Sequence, residues 1–367
     1  MTIGLGIVGL GPAGLALLGA AFGHDQVAVV AVADTDIEWL GPGSGQQPRR
    51  YRSLDRLLED DQVEAVHIAT PTPMHFDHVL RALSAGRHVI VEKPVTATAR
   101  EAEELMARAA GFGRVAIVGH SEAFEPYVQA VRGAVATGAI GTPTMVLAEK
   151  FTDWMRRPRL SAEWDGSSGG GLIRRQGVHQ VDVLRTITGV DFSVREAKVR
   201  LDRERGAPGT YTAWLSSGDA LSAVITHDGV GRLSPAPARP GGKDTDEESK
   251  RSRRRALLRR VLEERSAVRL GASDRERILV LGTDGEIVAS SRQVDVTTSA
   301  GTRTVDLTAF AEGRHAVLDE LAAAVSGASG AVHDLAWGYE SLRTCEDIER
   351  VSLAAAPSRP ARSASSR

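Results

Sequence analysis

The segment Val8-Gly9-Leu10-Gly11-Pro12-Ala13-Gly14 sets three glycines where an apolar β-type run passes into a helical pattern. Gly9 permits a tight turn, Gly11 lets the backbone approach a diphosphate, and Gly14 lets the helix pack close to a sheet. The helix N-terminus offers N–H groups to an anion, so Leu10, Pro12 and Ala13 belong to the same cradle. Asp34 ends the next β-type run, 20 residues after Gly14. A carboxylate there accepts both ribose hydroxyls of an adenosine and repels a 2′-phosphate, which favours NAD over NADP as cofactor.

Two further strand ends carry unusual residues. Thr70-Pro71 closes one apolar run, with a hydroxyl and a restricted backbone suited to lining a dinucleotide's path, and His75, at the start of the helix that follows, is expected to join them in contact with the cofactor. His75 and His78 form an HxxH pair, but no third ligand accompanies them and no metal is expected. Val91-Glu92-Lys93-Pro94 closes the next run in a chain with five lysines and forty arginines. A partly desolvated Lys titrates within a useful range, which Arg does not, so Lys93 reads as a residue placed for chemistry; Pro94 can fix its turn through a cis bond. Later, Gly169-Gly170-Gly171 leads into a helix carrying His179 and Asp182 three residues apart on one face. A histidine so placed can take a hydroxyl proton as hydride leaves the same carbon.

These residues need elements to hold them. Ile3–Val8, Val27–Ala33, Val63–Ala69, His88–Val91 and Val115–Val118 read as strands too continuously apolar for a sheet with one wet face. Helices are expected at Pro12–Phe22, briefly after Ser53, at Phe76–Ser84 and at Ala99–Ala110, the last capped by Thr96 or Thr98. That alternation means a doubly wound parallel sheet, a Rossmann domain over residues 1–122. After a helix near Tyr127–Thr137 strands dominate, at Thr144–Phe151, Val194–Asp202, Thr210–Ser216, Ala220–Thr226, Arg277–Leu281, Glu286–Ser291 and Thr302–Leu307, with a hairpin at Thr283-Asp284-Gly285. Two helices follow, Gly313–Val325 and Leu335–Leu353. Residues 123–355 therefore form an α+β domain with a largely antiparallel open sheet, carrying a charged, partly mobile insertion at 232–273, and 356–367 form a disordered tail.

Composition excludes several classes. Lys+Arg 45 against Asp+Glu 47 leaves a formal charge of −2, with no global field for nucleic acid or an anionic membrane. The basic run Lys250–Arg255 is flanked by acidic residues that cancel most of its charge. Ile3 to Phe22 runs 20 residues without a charge, but six glycines and a proline make it a buried strand and helix rather than a membrane segment. A single cysteine, Cys345, suits a reducing, cytoplasmic setting.

The order Gly9/Gly11/Gly14, Thr70-Pro71, Glu92-Lys93-Pro94 and Gly177-x-His179-x-x-Asp182 resembles the glucose–fructose oxidoreductase / inositol dehydrogenase family, Gfo/Idh/MocA. The resemblance implies a nicotinamide site in the cleft between the domains, with Lys93 and His179 as the catalytic pair. It also implies a homodimer or homotetramer formed through the second sheet. Phe151-Thr152-Asp153, Arg157-Pro158-Arg159 and Arg175-Gln176-Gly177-Val178-His179 look like the branch containing phthalate dihydrodiol dehydrogenases. Arg174 and Arg175 then join Asp182 as expected substrate-binding residues, by bidentate contact with a carboxylate; Arg156 and Arg157 either do the same or solvate the surface. Many sugar and polyol dehydrogenases of the family carry Asp where this chain has Arg175.

The expected activity is NAD-dependent hydride transfer at a secondary alcohol of a cyclic small molecule such as a cyclic diol, sugar or polyol, carboxylated or not. The alternatives are redox-neutral elimination or glycoside cleavage through transient oxidation, and a non-catalytic nucleotide sensor.

Overall fold

The computed structural model describes residues 2–40, 47–156, 164, 170–202, 204–230, 251–252, 255–256, 275–311 and 313–354. The remainder of the 232–273 insertion, the triple glycine's first member, Arg157-Pro158-Arg159 and the 356–367 tail lie outside the described residues.

The first sheet has six parallel strands in the order β3-β2-β1-β4-β5-β6: β1 Ile3–Val8, β2 Val27–Ala33, β3 Arg49–Tyr51, β4 Ala65–Ile68, β5 His88–Val91 and β6 Ala116–Val118. The chain reverses its direction of travel across the sheet between β1 and β4, which is the switch point where a ligand crevice opens beyond the strand C-termini. Every residue of β1 and β4 is buried, as strands covered on both faces require. The helices are α1 Pro12–Ala20, α2 Leu54–Leu58, α3 His75–Ser84 and α4 Ala99–Ala109. Thr98 caps α4, its side chain accepting from the Glu101 amide. The apolar run Ile3–Phe22 resolves into β1 and α1, and among the described residues no helix is long and apolar enough to cross a membrane.

The second sheet has eight strands ordered β14-β13-β12-β11-β7-β10-β9-β8, with every pair antiparallel except β7 and β10. They are β7 Pro143–Phe151, β8 Ser193–Leu201, β9 Pro208–Ser217, β10 Leu221–Asp228, β11 Arg275–Gly282, β12 Gly285–Ser290, β13 Gln293–Thr298 and β14 Gly301–Thr304. Tyr211, Ala213 and Leu215 of β9 turn inward, while Thr212 and Trp214 face out. The helices α5 Pro126–Ala136 and α6 Val178–Thr188 cover the inner face.

Two strands were not expected. β3 is three residues that pair with the edge of β2, a tertiary opportunity rather than a local preference. β13 buries Val294 and Val296 by period-two alternation. The strand expected over Thr302–Leu307 ends at Thr304, because Asp306 accepts from the Thr308 amide and starts a 3₁₀ turn at Leu307–Ala309.

The closing helices, α7 Gly313–Ser326 and α8 Leu335–Ala354, return to the first sheet. Val317, Leu318 and Leu321 pack with the β1 and β2 core, and Leu335 and Leu342 with the β4, β5 and β6 core. α8 also lies along β8, so it is a shared wall between the two sheets. Gly338 allows that approach, since a Cβ there would stand 2.7 Å from Val118 and 3.2 Å from Val95. Gly338→Val should overpack this contact and cost about 1–3 kcal/mol, read as a lower denaturant midpoint with an unchanged m-value.

Candidate active site

The glycine turn has the geometry of a diphosphate cradle. Gly9 has φ +89°, and a Cβ there would meet the Ala69 carbonyl oxygen at 2.5 Å, so only glycine fits between β1 and β4. A Cβ on Gly14 would reach the Gly9 oxygen at 2.0 Å, which fixes α1 against the turn. Gly11 is different, because a Cβ there meets nothing within 4 Å. It is the N-cap of α1 with no side-chain cap, Pro12 follows at the first helical position, and open space faces the helix N-terminus. Asp34 is buried beside the turn, with Oδ2 accepting from the Leu10 amide at 2.8 Å and Oδ1 from the Asp36 amide at 3.0 Å. The residues fit a dinucleotide. Sequence reasoning missed one neighbour: Arg251, in the described part of the insertion, makes a two-pronged contact to Asp36 at 2.7 and 2.9 Å.

The Thr70 and Lys93 loops are braced by His75. One ring nitrogen lies 2.9 Å from the Pro94 carbonyl oxygen and the other 2.9 Å from that of Thr70. His75 is 1% exposed and both nitrogens are engaged, so the structure corrects its expected cofactor contact to a strut between the two loops. His78 lies 3.1 Å from the Thr70 hydroxyl, so neither member of the HxxH pair is turned to a shared ion. Glu92 stands 3.5 Å from the buried His67. Burial alone would raise its carboxyl, but contact with His67 and the Arg314 and Lys93 charges hold it down at about 2. The Lys93-Pro94 bond is cis. The Lys93 ammonium donates across the cleft to the Arg175 carbonyl at 3.2 Å. Burial lowers it to about 8, against the pull of Glu92 and with help from the Arg175 and Lys150 charges.

On the opposite wall, Ile173–Gly177 form a π-helical turn that runs into α6. A Cβ on Gly177 would stand 2.9 Å from the Tyr211 hydroxyl, so glycine sets how closely this turn meets β9. His179 is buried one turn past Arg175, and burial with the Lys93, Lys150, His120 and Arg314 charges drives its imidazole well below the usual range. Its Nδ1 faces Glu122 Oε1 at 3.5 Å.

Two of the expected substrate contacts are corrected. Asp182 is wholly buried; Oδ1 accepts from the Trp337 indole at 2.7 Å and Oδ2 lies 3.5 Å from His120. Burial pushes it up to about 7, and it ties α6 to α8 instead of facing a ligand. Arg174 is stapled to α8, with Nε and Nη2 on Glu349 at 3.0 Å, Nη1 on the Ala97 carbonyl at 3.0 Å and Glu346 at 3.2 Å. Its fork is satisfied within the protein. Arg175 remains at the cleft, half-buried, with its carbonyl held by Lys93.

A buried ion cluster beside His179 was missed. Lys150 of β7, 3% exposed, bridges Glu122 at 2.7 Å and Glu276 at 2.5 Å, and the Tyr127 hydroxyl donates to Glu276. The scarcity of lysine, which singled out Lys93, would have flagged Lys150 as well. Elsewhere His24, His315 and Asp319 lie close enough to hold an ion. His24 Nδ1 accepts from the Gln26 amide at 3.1 Å, however, which puts the ring proton on Nε2 towards Asp319. That is a hydrogen-bonding arrangement, not a ligating one.

Residues 3–120 match the profile of the GFO_IDH_MocA oxidoreductase family with an NAD-binding Rossmann fold, and residues 128–231 match the GFO/IDH/MocA C-terminal domain. The 1-carboxy-3-chloro-3,4-dihydroxycyclohexa-1,5-diene dehydrogenase of Comamonas testosteroni is 27% identical over 93% of this chain and 92% of its own. The trans-1,2-dihydrobenzene-1,2-diol dehydrogenase of Mus musculus is 32% identical over 55% of this chain and 64% of its own. An oxidoreductase of Agrobacterium radiobacter, solved with NAD+, L-tartaric acid and magnesium, superposes with TM-score 0.76 over 96% of this chain and 97% of that one, at 17% identity. With both domain profiles matched in order and the glycine turn and the Lys93 and His179 walls in place, the chain belongs to the Gfo/Idh/MocA family of oxidoreductases.

Proposed function

We propose that this protein oxidises a secondary alcohol on a ring, with cyclic dihydrodiols as the first class to test and polyols and sugars as the second, and that it prefers NAD to NADP. The observation that carries the reading is the Lys93 to Arg175 hydrogen bond, because it brings the end of β5 and the entry to α6 into one cleft. The dihydrodiol dehydrogenase names among the relatives support the substrate class.

Gly9, Leu10, Gly11, Pro12, Ala13 and Gly14 would hold the diphosphate, Asp34 the adenosine ribose, and Thr70, Pro71, Glu92 and Lys93 the path to the reacting end. When bound, the nicotinamide supplies a hydride acceptor. Lys93 as ammonium holds the substrate oxygen and offsets negative charge that develops on it. Neutral His179, kept unprotonated by burial and its cationic neighbours, takes the hydroxyl proton. Arg175 supplies the cation for a substrate carboxylate. A homodimer or homotetramer through the outer face of the second sheet, where Trp214 is 48% exposed, and a cytoplasmic setting belong to the same proposal.

A panel of cyclic dihydrodiols, myo-inositol and sugars with NAD and NADP, read by nicotinamide absorbance, tests the class; turnover without accumulation of the reduced coenzyme would instead favour transient oxidation. Lys93→Ala should lower kcat by about 10²-fold or more, a larger loss than any it causes in NADH affinity. The wild-type rate should fall as pH rises through about 8, where the ammonium loses its proton, and Lys93→Arg should remove that alkaline limb. Asp34→Asn should weaken NADH binding and shrink the NADH over NADPH preference, measured by fluorescence titration. Light scattering should give a dimer or tetramer for the wild type and smaller species for Trp214→Asp.

A further inference from the structure

We propose that Glu122 is the positioning carboxylate of His179, fixing the imidazole proton on Nδ1 and receiving it when Nε2 takes the proton of the substrate hydroxyl. The proposal rests on the reading of His179 as the acid/base group.

Among the described residues, the surroundings of the ring leave this task to one side chain. One turn before His179 on its own helix stands Arg175, a cation, and three residues after it Asp182 gives Oδ1 to Trp337 and Oδ2 to the side of His120. The charged and titratable groups acting on the imidazole are Lys93 from the end of β5, Lys150 from β7, His120 from the end of β6 and Arg314 from α7. All of them oppose a proton on it. Glu122, on the short turn Ser121–Phe124 between β6 and α5, is the carboxylate that faces the ring, with Oε1 3.5 Å from Nδ1. That nitrogen is buried with no hydrogen bond of its own. A separation of this size is what an acid/base pair shows before substrate closes the site.

Glu122 is also held in place. Its second oxygen lies 2.7 Å from the Lys150 ammonium, which is anchored in turn by Glu276 at 2.5 Å, and Glu276 accepts from Tyr127. One oxygen is therefore pinned and the other is left for the histidine. Burial, seconded by Glu276, pushes the Glu122 carboxyl up against the pull of Lys150 and Lys93, while burial drives His179 down. The two shifts run towards each other, in the sense that a proton passing from the ring to the carboxylate requires. The balance is complete: the substrate O–H bond breaks as Nε2–H forms, Nδ1–H breaks as the Glu122 O–H forms, and the hydride goes to the nicotinamide. A cavity of about 20 Å³, lined by Glu122, Tyr127, Lys150, Gln180 and Glu276, adjoins the carboxylate. Ala148, Val183 and Ile278 also line it, and its volume is about that of one water.

The deciding measurement, the tautomer of His179, is made on the free protein without coenzyme or substrate, so it does not depend on the dehydrogenase reading. Imidazole 15N spectra of histidine-labelled protein, with His179 assigned by its loss in His179→Gln, should show Nδ1 protonated and Nε2 bare near neutral pH. Glu122→Ala should move that proton towards Nε2, whereas Glu122→Gln, which keeps an acceptor oxygen and loses the charge, should retain the Nδ1–H form. Both variants should bind NADH as the wild type does, which establishes that the cleft is folded. With a dihydrodiol substrate, Glu122→Gln should lower kcat by about 10²-fold with KM little changed, and Glu122→Asp should recover part of the loss. A wild-type His179 carrying its proton on Nε2, or the same 15N pattern in Glu122→Ala as in the wild type, overturns the proposal. Lost activity with an unchanged tautomer does so too, and leaves the dehydrogenase reading standing.

Discussion

A lysine ammonium removed from water must be given an acceptor, and in this protein the acceptor comes from the other half of the molecule. Lys93 leaves β5 on a rigid Pro94 turn and donates to the Arg175 carbonyl. That carbonyl also accepts from the Gln176 side chain, at 3.2 Å, within a π-helical turn where the backbone departs from regular α-helix pairing. The cross-cleft bond sets the spacing of the two walls. It also explains why α6 begins where it does, since the same turn delivers His179 one helical turn later. Its stability rests on α8, which grips Arg174 through Glu346 and Glu349 and accepts Arg185 at the Trp337 carbonyl and the Ser341 hydroxyl.

Burying charge is costly unless partners are well placed. Lys150 meets that condition with two carboxylates, and its affinity for a proton is pushed up by Glu122 and Glu276 in spite of burial. Lys93 meets it less fully, with Glu92 drawn mainly to His67, and so its proton is held less tightly. Lys150, 3% exposed, and the half-buried Lys93 thus have opposite characters: one is a fixed cation that shapes the field, the other a group whose proton affinity is lowered to about 8. The difference lies in the number of anions within reach of each.

Most of the first sheet was legible because its strands are continuously apolar and its glycines and prolines punctuate them; β2 and β5 fall on the residues that the pattern marks. β3 was not, since Arg49–Tyr51 becomes a strand only by lying against β2. The Lys93 and His179 walls could be read from residue type and position. Their surroundings could not, because they depend on side chains far apart in the chain. His75 to Pro94, Arg174 to Glu349, Asp182 to Trp337 and Glu122 to His179 are contacts between residues that no period relates. Arg174 and Asp182 looked like substrate groups because charge near a histidine invites that reading, and only burial with named partners removes it.

The adenosine end joins specificity to backbone architecture in one residue. Asp34 accepts from the Leu10 amide, so the carboxylate proposed to select the ribose also holds the glycine turn that would carry the diphosphate. It cannot swing aside for a 2′-phosphate without releasing that amide and the Asp36 amide together. Asp36 contributes little further repulsion, because Arg251 matches its charge through two hydrogen bonds. Arg251 belongs to the segment between β10 and β11, and Arg255 after it donates to the Trp39 carbonyl at 3.0 Å. The second half of the chain therefore reaches both ends of the proposed cofactor cleft, through Arg175 beside Lys93 and through Arg251 beside Asp36. The proposed selection against a 2′-phosphate then rests on a carboxylate that two backbone amides hold.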